Sequence, residues 1–381
     1  MPKENLRAVV IGAGWAGEGH SKALQQVGVE VAAICARQPE VVQAVADRLE
    51  VAEASTDWQR TVETVKPDIV ALATPAGLRG PVVGAAAELG CHIFCDKPLA
   101  TTAAEAERLY NLVDQAGVKH AYAATHCYDP SVAWLAELIE NDTIGPLLEL
   151  DIMVRLPMLA ELAPWSWLDT LAGGGGMLNN GLTHWLGMLE RIIGGQVVAA
   201  TGAAQVLRQR APVVPDLHDF RQMISTTLSA EEAAKLEWRA CDADNAFTAL
   251  LHFAGPKPNQ PEVRVQIIIN TMAAGPGPTN GWYFYGRQGT LLGEGTLALT
   301  VSRQDNPETD PEPLPIPQRL LDQLPQVGDD VQNKWVALSR DFVADIRGEA
   351  HQPYLTFKDG YRYQAVIEAI RASAGWHVMP D

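Results

Sequence analysis

Residues 7–17 read Arg7-Ala8-Val9-Val10-Ile11-Gly12-Ala13-Gly14-Trp15-Ala16-Gly17. The apolar run Ala8–Ile11 reads as a buried strand, and three glycines follow it in G-x-G-x-x-G spacing. A segment rich in alanine, leucine and glutamine then reads as helix to about Val27. Each glycine has a steric reason. Gly12 allows the sharp strand-to-helix turn, Gly14 lets a pyrophosphate approach the backbone, and Gly17 lets the helix sit close on the strand. The free N–H groups and the dipole at the helix start favour a phosphate. The bland alternative is a tight turn that binds nothing. The strand before it, the helix after it and the units that follow weigh against that.

Outward from this turn, residues 7 to 124 alternate apolar runs with helical patterns. Strands are expected at Ala8–Ile11, Glu30–Cys35, Asp68–Ala73, His92–Cys95 and His120–Ala124, with a weaker one near Val51–Ser55. Helices are expected near Trp15–Val27, Pro39–Leu49, Asp57–Val65, Leu78–Leu89 and Thr102–Ala116. Repeated βα units with continuously apolar strands imply a parallel sheet covered on both faces. This is a doubly wound α/β, Rossmann-type domain over residues 1–124, and its ligand belongs at the carboxyl ends of the strands. The places to search are therefore Ala36-Arg37, Thr74-Pro75-Ala76, Asp96-Lys97-Pro98 and Thr125-His126. The ribose reader falls about 20 residues after the glycines. No acid stands at 36–38; Ala36 and Arg37 stand there instead, and a guanidinium suits a 2′-phosphate. The pattern leans to NADP over NAD, unless Arg37 is only a solvated loop residue. Lys97 sits on a proline-stiffened loop where a nicotinamide could lie, or is a plain surface charge.

Residues 125–381 read as an α+β domain. A helix is expected at Ser131–Glu140, a turn at 143–146 and a strand over Leu147–Leu156. Four glycines, 173–176, lead into an amphipathic helix whose buried stripe is Leu178, Leu182, Trp185, Leu189 and Ile192. Asn180 and His184 lie at i and i+4, off the centre of that stripe. The glycine cluster reads as a place where something approaches, followed by a paired amide and imidazole. Strands of a large, mostly antiparallel sheet are expected at Val197–Val206, Phe247–Phe253, Val263–Asn270, Trp282–Tyr285 and Thr290–Val301. An open apolar face on such a sheet would need a partner. Residues 305–329 read as an extended loop with a short helix around Arg319–Leu324, and two helices, Val331–Ile346 and Lys358–Ala374, close the chain.

The 381 residues exceed what one core usually serves, and the net charge is −17. That surplus of acid argues against nucleic acid or an anionic membrane as a partner. No run reaches the length of a membrane span. The first strand begins within ten residues of Met1, leaving no room for a signal peptide. The cysteines, Cys35, Cys91, Cys95, Cys127 and Cys241, form no C-x-x-C pair and read as reduced core residues of a cytoplasmic protein. No metal-ligand spacing and no G-x-S-x-G elbow is present.

Taken together, several stretches resemble the Gfo/Idh/MocA oxidoreductase family, named after glucose–fructose oxidoreductase, inositol dehydrogenase and a rhizopine catabolism protein. They are G-A-G-W-A-G-E-G-H at 12–20, C-D-K-P-L at 95–99, Y-D-P at 128–130, T-I-G-P at 143–146, G-G-G-G-M-L-N-N-G-L-T-H at 173–184, G-R-Q-G-T-L at 286–291 and A-V-I-E-A-I-R-A-S-A at 365–374. The resemblance implies a Rossmann domain, an α+β domain whose open sheet makes a homodimer or homotetramer, and NAD(P)-dependent oxidation or reduction of a sugar, polyol or related hydroxy compound. The C-terminal helices can pack back on the first domain. By position, Lys97 is the motif lysine and His184 the motif histidine. Asn180 stands where many members carry an aspartate, and His126-Cys127 where relatives often carry Asn-Arg. His184 would move the hydroxyl proton, Lys97 would stabilise the alkoxide or itself carry the proton, and Asn180 would hold a substrate hydroxyl. His126, Tyr128, Trp165 and Trp167 are candidate pocket walls. Two other readings remain. One is a glycosidase that retains NAD and oxidises its sugar only transiently. The other is a sensor that binds NAD(P) without catalysis, a reading that Asn180 keeps open.

Overall fold

A computed structural model of the chain describes residues 5–155, 161–215, 217, 220–255, 260–273, 280–294, 298–305 and 311–373. The first half alternates strand and helix: β1 (Arg7–Ile11), α1 (Trp15–Gln26), β2 (Glu30–Cys35), α2 (Pro39–Arg48), β3 (Glu53–Ser55), α3 (Trp58–Val65), β4 (Ile69–Leu72), α4 (Arg79–Glu88), β5 (His92–Cys95), α5 (Ala103–Ala116) and β6 (His120–Tyr122). The six strands form one parallel sheet in the order β3-β2-β1-β4-β5-β6. That is the dinucleotide-binding order, with its crevice where the winding reverses between β1 and β4. Strands β1, β4 and β5 are buried almost throughout, as a sheet covered on both faces requires. Local chemistry sets the helix ends. Thr102 accepts a hydrogen bond from the Glu105 N–H at the start of α5, and Gly117 ends that helix at φ 66°.

The second half continues with α6 (Pro130–Glu140), β7 (Leu147–Arg155), α7 (Thr183–Ile193), β8 (Val197–Gln205), β9 (Arg210–Pro212), α8 (Phe220–Ser225), α9 (Ala230–Ala233), β10 (Trp238–Ala240), β11 (Ala246–Phe253) and β12 (Val263–Asn270). It ends with β13 (Gly281–Gly286), β14 (Gly289–Glu294), β15 (Ala298–Arg303), β16 (Glu312–Leu314), α10 (Gln318–Leu321), α11 (Asp330–Arg347) and α12 (Phe357–Ala372). Eight of these strands form one sheet, β16-β15-β14-β13-β7-β12-β11-β8, antiparallel except where β12 pairs with β7. One face is core: Phe247, Ala249, Leu251 and Phe253 of β11 alternate inward beside Val263, Val265, Ile267 and Ile269 of β12. Helix α12 packs on β8 and also reaches α5 and α7, tying the two halves together. Before it, the Leu355 carbonyl accepts the Tyr122 N–H at 2.8 Å, so residues ahead of α12 cover the edge strand β6.

The expected elements recur with three differences. The single strand expected over Thr290–Val301 is a hairpin, β14 pairing with β15. Gly293 and Gly295 interrupt that apolar run, and they are turn signals. The helix expected from Leu78 begins as a 3₁₀ turn at Ala76–Leu78. The ribbon β9–β10 and the short helices α8 and α9 carry too little periodicity to show in the sequence. Parts of the expected elements and loops at 156–160, 216, 218–219, 295–297, 306–310 and 374 lie outside the described residues. No described helix is long and apolar enough to cross a membrane.

Candidate active site

The glycine turn lies at the carboxyl ends of β1 and β4. Gly12 has φ +118°, and a Cβ there would stand 2.8 Å from the Ala73 carbonyl. A Cβ on Gly17 would meet the Gly12 carbonyl oxygen at 1.8 Å. Both positions are closed by the protein's own backbone. Gly14 differs: a Cβ there has nothing within 4 Å. It is also the N-cap of α1 and carries no side-chain cap hydrogen bond. An uncapped helix start beneath an open glycine fits the pyrophosphate of a dinucleotide. Of the other turn residues, Ala13 is buried, Ala16 is half-buried in α1, and the Trp15 ring packs on Trp335 of α11 at 4.9 Å. At the end of β2, the Ala36 N–H donates to the Ser55 carbonyl at 3.0 Å, and Arg37 is exposed.

The strand-end loops after β4 and β5 are held by a residue the sequence reading did not single out. Arg79, 2% exposed, opens α4. Its guanidinium donates to the Thr74 carbonyl at 2.9 and 2.7 Å and to the carbonyls of Asp96 and Pro98. It thus joins Thr74-Pro75-Ala76 to Asp96-Lys97-Pro98. The Lys97–Pro98 peptide is cis. A signal was present: Arg79 is the one charge in α4 before Glu88, among glycine, proline, valine and alanine. A charge in such company has to find partners.

Lys97 is half-buried, and its ammonium donates to Asn180 Oδ1 at 3.2 Å. Burial pulls Lys97 down from the ordinary lysine value, Asp96 opposes that, and Arg79 adds to it. Asn180 is held from the other side: its amide nitrogen donates to the carbonyls of Gly174 and Gly176 at 3.1 and 2.9 Å. Residues Leu178–Leu182 form a π-helical turn ahead of α7. Such turns recur at functional sites because they redirect one side chain. Asp244 anchors this turn, accepting the Leu178 N–H at 2.7 Å while Arg371 of α12 holds its other oxygen at 2.8 Å.

The glycines of 173–176 do not open a space for a ligand. A Cβ on Gly174 would meet Ala76 at 2.8 Å and Pro98 at 3.4 Å, one on Gly175 would meet the Leu168 carbonyl oxygen at 2.2 Å, and one on Gly176 would meet Asp244 at 2.6 Å. What approaches is the chain itself. The glycine loop presses onto the strand-end loops of the first sheet, and that contact brings Asn180 to Lys97.

His184 sits in the first turn of α7. Burial pushes it well below the ordinary histidine value, and His126, Lys97 and Lys334 add to that. Its Nδ1 is buried with no hydrogen-bond partner among the described residues. The His126 ring lies over it, with centroids 4.2 Å apart at 36°. Lys97, Asn180, His184 and His126 are therefore assembled in one place. The other candidates are engaged elsewhere. The Tyr128 hydroxyl donates to Asp341 of α11 at 3.1 Å. Trp165 belongs with the β9–β10 ribbon: its indole N–H donates to the Ala240 carbonyl at 3.2 Å and Arg239 lies 5.1 Å over its ring. Trp167 is half-buried in a 3₁₀ turn beneath Gly173. The hollow lined by Leu6, Lys66, Asp68, Cys91, His92 and Arg347 lies at the opposite, N-terminal ends of the strands and contains none of these residues.

The sequence reading also missed Lys334 and Glu18. Lys334 of α11 is 2% exposed and donates to Asp129 at 3.2 Å and Asp330 at 2.5 Å. Glu18 of α1 is 4% exposed; burial pushes it up, but Arg48, Lys22 and Arg221 together pull it down to about 2. All five cysteines are free and buried.

A family model described as "Oxidoreductase family, NAD-binding Rossmann fold" matches residues 6–124, and the GFO/IDH/MocA C-terminal domain model matches residues 132–292. The levoglucosan dehydrogenase of Pseudarthrobacter phenanthrenivorans is 29% identical over 202 residues, covering 50% of this chain and 52% of that one. The D-xylose 1-dehydrogenase (NADP(+)) 2 of Haloferax volcanii is 32% identical over 120 residues, covering 32% of this chain and 37% of that one. The chain thus spans about half the length, or less, of these curated relatives. A solved structure, a levoglucosan dehydrogenase in complex with NADH, superposes with a TM-score of 0.78 at 23% identity, over 96% of each chain.

Proposed function

The chain belongs to the Gfo/Idh/MocA oxidoreductase family, and from that premise we propose that it is an NAD(P)-dependent dehydrogenase acting on a hydroxyl carbon of a sugar, polyol or related compound. The observation that carries this reading is the contact of Lys97 with Asn180, 3.2 Å across the seam between the two sheets, with His184 one turn further along. When bound, the nicotinamide supplies the hydride acceptor or donor; every other role falls to the chain. The open Gly14 turn and the α1 N-terminus hold the pyrophosphate. Arg79 holds the strand-end loops in register. A neutral imidazole at 184 can take the substrate's hydroxyl proton during oxidation. The Lys97 ammonium meets the charge that develops on that oxygen.

Asn180 cannot relay a proton, but its place is a structural one. Its Nδ2 donates to two carbonyls, which a carboxylate cannot do, while its Oδ1 accepts from Lys97. It holds Lys97 without neutralising it. The exposed Arg37 at the end of β2 supports NADP over NAD, and the NADP(+) relative is consistent with that; the NADH complex of the levoglucosan enzyme leaves the other cofactor in contention. The relatives' substrates point to pyranose-like sugars. We also place the division between cofactor and substrate work at residues 124–125. The outer face of the eight-stranded sheet, with Val198, Leu250 and Tyr285 exposed, is the surface for a homodimer or homotetramer. A compartment in the cytoplasm fits the free, buried cysteines.

The test is a fluorescence titration of the cofactor-stripped protein with NADPH and NADH, followed by a screen of sugars and polyols with the oxidised form of the tighter binder. Binding of one nucleotide and turnover of at least one sugar are expected. Binding of neither would remove the basis of the reading.

A further inference from the structure

His126 has no role in the scheme above, yet its surroundings hold it in place. It sits in the 3₁₀ turn Thr125–Tyr128 between the two halves of the chain. Three contacts from two helices pin that turn. Arg191 of α7 donates to the Cys127 carbonyl. The Tyr128 hydroxyl donates to Asp341 of α11 at 3.1 Å. Lys334, also of α11, donates to Asp129 at 3.2 Å. The outcome is a ring laid over His184 with centroids 4.2 Å apart, tilted by 36°. Two rings tilted at 36° with centroids this close do not share an in-plane N–H···N hydrogen bond, so His126 does not orient His184 as a carboxylate would. It covers the ring and places beside it a second group that cannot be charged at the same time without repulsion.

The charged groups around the pair push His184 down together, whereas on His126 the lysines push down and the aspartates push up. His126 is faced by Lys97 from the loop after β5, by Lys334 and Asp330 from α11, by Asp129 from its own turn and by His184 from α7; burial is the largest influence and holds it down to about 4. His184 is faced by His126, Lys97 and Lys334, all of which push it down. The position from which a carboxylate could have served it, 180, holds an amide.

We propose that His126 is a positioning residue for His184, laid over its ring so that His184 enters the reaction as a neutral base and not as an imidazolium. The proposal rests on the dehydrogenase reading for the identity of the proton. In the oxidation, the substrate O–H bond breaks, its proton forms an N–H bond on His184, and the carbon's hydride leaves for C4 of the nicotinamide as the carbonyl forms. Held this way, His184 carries no proton when the alcohol binds, and it stays unprotonated in mild acid.

The experiment is a histidine-selective NMR titration of the cofactor-free full chain, as wild type, His126→Asn and His126→Phe. It needs no turnover, so it can fail independently of the dehydrogenase reading. In the wild type, the His184 midpoint is expected well below the ordinary histidine value. In His126→Asn, which uncovers the ring, its midpoint is expected to rise by about one pH unit. In His126→Phe, which keeps an aromatic cover, it is expected to stay low. With a substrate in hand, the acid limb of kcat/KM should move with the midpoint in His126→Asn. A wild-type His184 that charges near the ordinary value of about 6.5 overturns the proposal. So does a folded His126→Asn with an unmoved midpoint. If the asparagine variant does not fold, the wild-type midpoint decides alone.

Discussion

Gly14 and Gly17 stand three residues apart in the same turn, and their surroundings give them opposite predictions. Gly14→Ala places its methyl in open space at φ −82°, an ordinary angle for alanine. It should leave the melting temperature unchanged while weakening NAD(P)H by about tenfold or more, a loss of ~1.4 kcal/mol. Gly17→Ala drives its methyl into the Gly12 carbonyl oxygen at 1.8 Å and should cost at least about 2 kcal/mol in denaturant unfolding. Asn180→Asp tests another single atom. It puts a carboxylate oxygen against the Gly174 and Gly176 carbonyls and pairs Lys97 with a full negative charge. Steady-state kinetics should show lower kcat, and the basic limb of the pH profile should move upward; improved turnover would mean that the amide is a defect. Lys97, Asn180 and His184 were legible in the sequence because each lies in a motif of local spacing. Arg79 and Lys334 were not. Apart from the Lys334–Asp330 pair along α11, their partners are carbonyls at 74, 96 and 98 and a carboxylate at 129, contacts that no local pattern records.

At the scale of elements, α11 does more for the cofactor turn than its position near the chain's end suggests. Trp335 fills the notch left by Gly19: a Cβ there would stand 2.0 Å from the indole. The same ring packs on Trp15 at 4.9 Å and, edge-on, on His20 at 5.1 Å. The Gln332 amide donates to the Gly19 carbonyl at 3.1 Å. Trp335→Ala should destabilise the chain by about 3–5 kcal/mol in denaturant unfolding and weaken nucleotide binding with it. A stable variant with weakened binding would point instead to a direct nucleotide contact. The helices and strands of the first half were readable because βα alternation is written in local periods. The hairpin β14–β15 was not, since an apolar run broken only by glycines at 293 and 295 reads as one strand. The glycine loop at 173–176 was readable as a site of close approach, but the sequence alone could not say that the approaching group is the neighbouring loop.

For the whole molecule, buried imidazoles govern the response to pH. His20 is fully buried and held down to about 4 by burial, although Asp96 pulls it upward. His126 is likewise at about 4, and burial also lowers His184, His92 and His120. Between the ordinary value near 6.5 and these lower ones, the unfolded chain binds protons that the folded chain refuses. Stability therefore falls as pH drops through that window. Below it, Glu18 continues the loss, because its stabilisation is present above its ordinary value of 4.5 and disappears towards about 2. Thermal unfolding should show a melting temperature declining from pH 7 to pH 4. His20→Phe, which keeps the ring contacts with Phe94 and Trp335, should flatten the upper part of that decline. An unchanged slope would assign the sensitivity to the other histidines. The central claim, that the seam between the two sheets is a hydride-transfer site, is tested most directly with Lys97→Ala. Nucleotide affinity and sugar-dependent nicotinamide reduction would be measured side by side in this variant and the wild type. The account predicts that affinity is retained within a few-fold while kcat/KM falls by about a thousandfold or more; full turnover in Lys97→Ala would contradict it.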